Sequence, residues 1–152
     1  MNKVIKIILF ILLIFFDLFS KSLVKNNLEI NQSIKFTSFF DLVYVQNYGV
    51  SFGMLSGTVS HWFLITFALF VVLLIIYLML ISNKNIEKIA YFTIIIGAVS
   101  NILDRTINTF VVDFISIHYS NYYWPAFNLA DIYITIGIIM LIISFFKVPK
   151  EN

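Results

Sequence analysis

The chain has no cysteine. That excludes a disulfide framework, a thiolate nucleophile and cysteine-ligated metal, and leaves oxygen and nitrogen groups to carry any chemistry. Charge is almost as scarce. Of the 152 residues 12% are charged and 61% hydrophobic, with a mean hydropathy of +0.96, which rules out a soluble globular domain. The 10 Lys and Arg against 8 Asp and Glu leave a formal charge of only +2, with no basic run, so no nucleic-acid partner is implied. No linker, internal repeat or low-complexity segment divides the chain, and residues 1–152 read as one integral-membrane unit.

What is present is apolar and long. A helix needs about 20 mostly apolar residues to cross a bilayer core, and Trp62 to Ile81 meets this without a charge. Three shorter uncharged runs, Ile7 to Phe16, Ile89 to Leu103 and Ile132 to Phe146, reach that length only by taking in polar residues. The expected spans are therefore about 4–22, 61–81, 87–105 and 127–146, with outer segments 23–60 and 106–126. The first apolar run resembles a signal peptide, but Asp17-Leu18-Phe19-Ser20-Lys21 offers no small-residue cleavage site, so it is expected to stay as a helix. Lys3, Lys6, Lys84, Lys88, Lys147 and Lys150 fall on one side of these spans, and Lys21, Lys25, Lys35 and Arg105 on the other. Basic residues in short loops stay cytoplasmic, which predicts cytoplasmic termini and outer segments beyond the far leaflet. Those segments hold Phe39, Phe40, Val43, Tyr44 and Val45, then Val111, Val112, Phe114 and Ile115, a pattern of short strands over the helix ends. The fold class is thus an all-α membrane protein, a bundle of four transmembrane helices with a small extracytoplasmic β-rich cradle.

The polar residues of the spans share one depth: Asp17, Asn101 with Asp104, and Asn128 with Asp131 all lie at the outer ends. A charge at the centre of a membrane helix costs on the order of 2.5–3.5 kcal/mol even on the mildest scale, so this convergence points to function. Asp17 and Lys21 are four apart and share a helix face, which favours an ion pair. Asp113 has no Lys or Arg nearer along the chain than Arg105, and Asp131 none nearer than Lys147, leaving both free for proton chemistry. Two neighbouring carboxylates do not both ionise easily; one keeps a proton while the other acts as a base, as water-driven amide cleavage requires. Such a pair needs no metal and no cofactor.

Four blocks carry a resemblance: Asp17-Leu18-Phe19-Ser20-Lys21; Asn47-Tyr48-Gly49-Val50-Ser51-Phe52-Gly53; Asn101-Ile102-Leu103-Asp104-Arg105 with Val111-Val112-Asp113-Phe114; and Phe127-Asn128-Leu129-Ala130-Asp131. In order and spacing they resemble the bacterial lipoprotein signal peptidase family, signal peptidase II, over nearly the whole chain. The resemblance implies an aspartic endopeptidase of the bacterial cytoplasmic (inner) membrane. It would remove the signal peptide from prolipoproteins just before a diacylglyceryl-modified cysteine, working as a monomer among membrane phospholipids, with its site at the outer leaflet. It implies Asp113 and Asp131 as the catalytic pair, and Asp17, Lys21, Asn47, Gly49, Asn101, Asp104, Arg105 and Asn128 as residues that line or support the substrate site. Ser20 and Ser51 replace the family's threonine and alanine, and Ile96-Gly97-Ala98-Val99-Ser100-Asn101 keeps one glycine of three, which bears on close packing at the third span rather than on the chemistry.

Other readings compete at single residues. Asp113 and Asp131 would otherwise be caps or buried acids, Arg105 could hold a lipid phosphate or brace the aspartates, and Asn47, Gly49 and Gly53 could simply form a turn. Gly49, Gly53 and Gly57 recur every fourth residue but outside an apolar span. A serine–histidine pair built on Ser60, Ser116 or Ser120 has no nucleophile motif behind it, so His61 and His118 are expected at the surface. As whole functions, a small proton- or ion-coupled transporter would spread acids across the membrane depth, and a non-catalytic scaffold would not need the aspartates.

Overall fold

In hydrocarbon the backbone must satisfy its own hydrogen bonds, so uncharged runs of this length become helices. The computed structural model describes residues 2–49 and 59–146. It contains α1 (Lys3–Asn27), α2 (His61–Ile81), α3 (Asn85–Asn108) and α4 (Leu129–Phe146), each long and apolar enough to cross a membrane. The chain is a multi-pass membrane protein. Asn2 starts α1 by accepting from the Val4 N–H at 3.3 Å, and Ser60 starts α2 by accepting from the Phe63 N–H at 3.2 Å. Two helices outrun their expected ends at 22 and 105, because their final turns are polar and continue as helix once clear of the apolar stretch. Conversely α4 starts late: Phe127 still bridges to Ile115 of the sheet, and Asn128 is the cap.

The middle of the bundle is α3, which packs against α1, α2 and α4. A Cβ on Gly97 would stand 2.3 Å from the Ala130 carbonyl oxygen, and one on Gly137 would stand 2.7 Å from that of Ala90, so α3 and α4 touch backbone to backbone at both positions. The two lost glycines of the third span therefore do not cost close packing. Ile96 and Ser100, which stand in their places, are both buried. Most of the apolar surface of α2, Phe70, Leu73 and Leu80 included, faces outward.

Over one end of the bundle lies an antiparallel sheet in the order β1 (Ser33–Lys35), β2 (Phe40–Asn47), β3 (Val111–Tyr119), β4 (Tyr122–Tyr123). Val24 of α1, Tyr44, Phe110, Val112 and Phe114 form its core; fully burying a side chain of this kind contributes about 1.5–3 kcal/mol. Thr109 turns the chain from α3 into β3 with φ of 68°, a left-handed conformation that costs a β-branched residue about 1–2 kcal/mol. Val50, Ser51, Phe52, Gly53 and Gly57 of the second motif and its glycine series, and Lys147 and Lys150 of the charge asymmetry, lie outside the described residues.

One expectation fails here. His118 is not a surface histidine: with Val112, Phe114 and Ser116 it occupies the buried face of β3, its Nε2 3.4 Å from Asp41 Oδ1 and its ring stacked 4.8 Å from that of Tyr123. The period-2 alternation of a strand carries it inward. His61 is half-buried at the start of α2.

Candidate functional site

Residues from all the motif blocks meet at the sheet end of the bundle. Asp113 arrives on β3 and Asn47 on β2, and a β-bulge decides that they meet. Leu42 pairs with Ile115 but Val45 pairs with Asp113, so β2 carries one extra residue opposite Phe114. Without that residue the side-chain alternation of β2 would be reversed at this point, and Asn47 would leave the Asp113 face. With it, the Asn47 Nδ2 donates to Asp113 Oδ2 at 3.0 Å.

Asp131 is placed by a reciprocal cap. Asn128 precedes the first turn of α4 and accepts from the Asp131 N–H at 3.1 Å, while Asp131 Oδ2 accepts from the Asn128 N–H at 3.2 Å. The cap also joins the two acids: Asn128 Nδ2 donates to Asp113 Oδ1 at 2.6 Å. From α3, Asn101 Nδ2 donates to Asp131 Oδ1 at 2.9 Å. Asp113 is buried and Asp131 half-buried, so the pair is accessible from the Asp131 side.

The orientation of all three amides is forced. An amide oxygen must face a group that can only donate, and each does: Asn101 Oδ1 faces the Lys21 ammonium at 2.7 Å, Asn128 Oδ1 the Asp131 N–H, and Asn47 Oδ1 the Gly49 N–H at 2.9 Å. Each NH₂ group is thereby left pointing at a carboxylate. These donors favour ionisation, but burial opposes it, and for Asp113 burial wins. Removal from water, then the charge of Asp131, push its carboxyl up to about 7 against the hydrogen bonds from Asn47 and Asn128.

The remaining polar residues brace this arrangement. Lys21, buried in α1, pairs with Asp17 at 2.7 Å and lies 3.6 Å from Asp104. Asp17 in turn accepts from the Ala130 N–H of α4 at 2.8 Å, and Asp104 from the Val112 N–H of β3 at 2.8 Å. One buried lysine thus ties α1, α3, α4 and the sheet together. Arg105 is also buried and donates to the carbonyls of Gly49 and Asn47, fixing the turn that follows β2. Among the described residues no ion pair involves Asp113 or Asp131, and no group of three or more His, Cys, Asp or Glu could hold a metal.

Sequence reasoning overlooked the bulge and the Asp41–His118 pair. The first leaves no mark in a single sequence; the second was available from the alternation of β3.

Four apolar helices, a small sheet over one end and two carboxyls bridged by one amide where sheet and bundle meet define a membrane protein with a candidate acid–base site. The chain belongs to the signal peptidase II family, whose sequence profile, described as signal peptidase (SPase) II, matches residues 9–147. It is 40% identical over 151 residues to the lipoprotein signal peptidase of Francisella tularensis subsp. novicida (strain U112), covering 95% of this chain and 93% of that protein. It is 38% identical over 140 residues to the lipoprotein signal peptidase of Pseudoalteromonas atlantica (strain T6c / ATCC BAA-1087), covering 90% and 85%. Its fold is similar to a bacterial membrane enzyme solved by the in meso method at 2.3 Å resolution, with a TM-score of 0.85 and 26% identity over 99% of this chain and 95% of that one. A second such structure, at 1.9 Å, gives 0.81 and 27% over 95% and 94%. The chain is thus a membrane peptidase of the signal peptidase II family.

Proposed function

We propose that Asp113 and Asp131 are the catalytic pair of an aspartic endopeptidase that cleaves diacylglyceryl-modified prolipoproteins just before the lipidated cysteine. The observation that carries this is the shared contact with Asn128: one amide donates to Asp113 and accepts from the backbone of Asp131, joining two carboxyls that make no ion pair among the described residues. Asp131, partly exposed and accepting on both oxygens, takes the proton of a water. That water attacks the scissile carbonyl carbon while Asp113 gives its proton to the carbonyl oxygen. The tetrahedral adduct collapses by breaking the C–N bond as the proton held by Asp131 passes to the leaving nitrogen and one hydroxyl proton of the adduct returns to Asp113, which leaves a carboxylic acid, a free amine and the starting protonation of the pair. No metal or cofactor enters this scheme, and EDTA should leave the rate unchanged.

Asn47, Asn101 and Asn128 set the carboxyl orientations; Asp17, Lys21 and Asp104 hold the helices at the pair; Arg105 and Gly49 shape the turn beside it. The chain works as a single-domain monomer surrounded by phospholipid in the bacterial inner membrane. Its spans are about 4–22, 61–81, 87–105 and 127–146, with both termini cytoplasmic and the sheet at the outer leaflet, the orientation that Lys3, Lys6, Lys84 and Lys88 favour. A transporter is disfavoured by family and by placement, since Glu87 at the opposite end is engaged by Ser82, Lys84 and Ser144 rather than opening a path. The test is cleavage of a lipid-modified prolipoprotein by purified Asp113→Asn and Asp131→Asn proteins. Both should be inactive while folded; full activity in either removes the proposal.

A further inference from the structure

A second polar site lies behind the catalytic pair. Between α1 and α3, at the sheet end, is a cavity of about 250 Å³ whose polar wall includes Ser22, Lys25, Asn26 and Asn108 and whose apolar wall includes Leu18 and Ile107. The sequence offered Arg105 as a holder of lipid phosphate, but its guanidinium is buried against the carbonyls of Gly49 and Asn47. Lys21, also at this cavity, is committed to Asp17, Asn101 and Asp104. Lys25 differs from both. It is exposed, it meets the neutral Asn108 side chain and lies 6.0 Å from the Phe110 ring, and among the described residues it has no carboxylate within ion-pair distance.

The acid in the cavity wall does not cancel this charge. Asp104 Oδ1 accepts from Asn108 at 2.7 Å, and Asp104 Oδ2 accepts from the Val112 N–H at 2.8 Å and faces Lys21 at 3.6 Å. Lys25 retains ammonium hydrogens beyond the one given to Asn108. Close by, the Asn26 amide makes only a long contact of 3.4 Å to the Ser22 hydroxyl. Several donors around one uncompensated cation suit an anion with many acceptor oxygens. Ile107, 72% exposed, and Leu18 continue the wall as apolar surface, suited to a hydrocarbon chain.

We infer that this cavity binds a phosphate group, anchored by Lys25 and carried on a phospholipid whose acyl chain runs along Leu18 and Ile107. The diacylglyceryl group of a substrate carries no phosphate, so this ligand is distinct from the one the peptidase cuts.

The experiment uses the purified full-length chain in detergent with dioleoyl phosphatidylglycerol, dioleoylglycerol and glycerol 3-phosphate, and reads bound ligand by native mass spectrometry. Phosphatidylglycerol should be retained and dioleoylglycerol should not. Lys25→Gln should weaken phosphatidylglycerol retention tenfold or more, whereas Lys84→Gln, an exposed lysine at the other end of the bundle, should leave it unchanged. Retention of glycerol 3-phosphate equal to that of the lipid, and lost in Lys25→Gln, would support phosphate recognition with a soluble source. Equal retention of dioleoylglycerol and phosphatidylglycerol would overturn the inference, as would equal losses in the two lysine variants; Lys25 would then serve only to offset the carbonyl end of α1.

Discussion

Each end of the bundle sets a lysine beside an acid one helical turn away. Away from the sheet, Lys84 pairs with Glu87 at 3.0 Å with the lysine half exposed, and Ser82 and Ser144 supply the rest of the carboxylate's bonds. At the sheet end, Lys21 pairs with Asp17 at 2.7 Å with both side chains out of water. The first contact anchors a loop and is screened by solvent; the second cannot be opened without stranding charges, so its members act as a fixed frame. An ion pair that is merely present thus differs from one that holds the proposed reaction site in shape.

The largest effect expected from this contrast is chemical. Asp113→Asn and Asp131→Asn should each lower the cleavage rate by at least about 10³-fold, in the range lost when a positioned acid or base is removed. Melting curves should show that both still fold. Next comes the frame itself. Lys21→Met leaves Asp17 and Asp104 buried without their cation and should destabilise the protein by about 3–5 kcal/mol, whereas Lys84→Ala should cost about 0–1 kcal/mol in the same unfolding assay. Equal losses at the two positions would abolish the distinction.

Much of the sheet end was legible beforehand. Motif spacing placed Asp17, Asn101, Asp104, Asn128 and Asp131 at one depth, because helical rise converts sequence distance directly into height. The strands of the outer segments were visible as β-branched and aromatic runs. Two things were not. The extra residue opposite Phe114 has no local signature, since a bulge is a property of pairing and not of either strand alone. Nor did the loss of two span 3 glycines reveal that the remaining Gly97 sits at the closest approach to Ala130, which depends on where α4 crosses.

That crossing gives a third prediction. Gly97→Ala forces a methyl group onto the Ala130 carbonyl, one residue from Asp131; overpacking of this kind costs about 1–3 kcal/mol. It should lower the rate more than Ala98→Gly on the same helix. A smaller effect follows from pH. The Asp113 carboxyl lies well above its ordinary value, so the folded state binds more protons than the unfolded one between about 4 and about 7. Stability should therefore fall as pH rises through that interval, the rate should fall as pH rises through about 7, and Asp113→Asn should flatten the stability slope.

The proton of Asp113 is the point on which the proposed chemistry turns. Infrared difference spectroscopy of the isotope-labelled aspartates, in wild type and in Asp131→Asn, would observe it directly. The expected result is a carboxyl titrating near 7 that moves to lower pH when the charge at 131 is removed. A carboxyl that titrates near 4 in both proteins would contradict it.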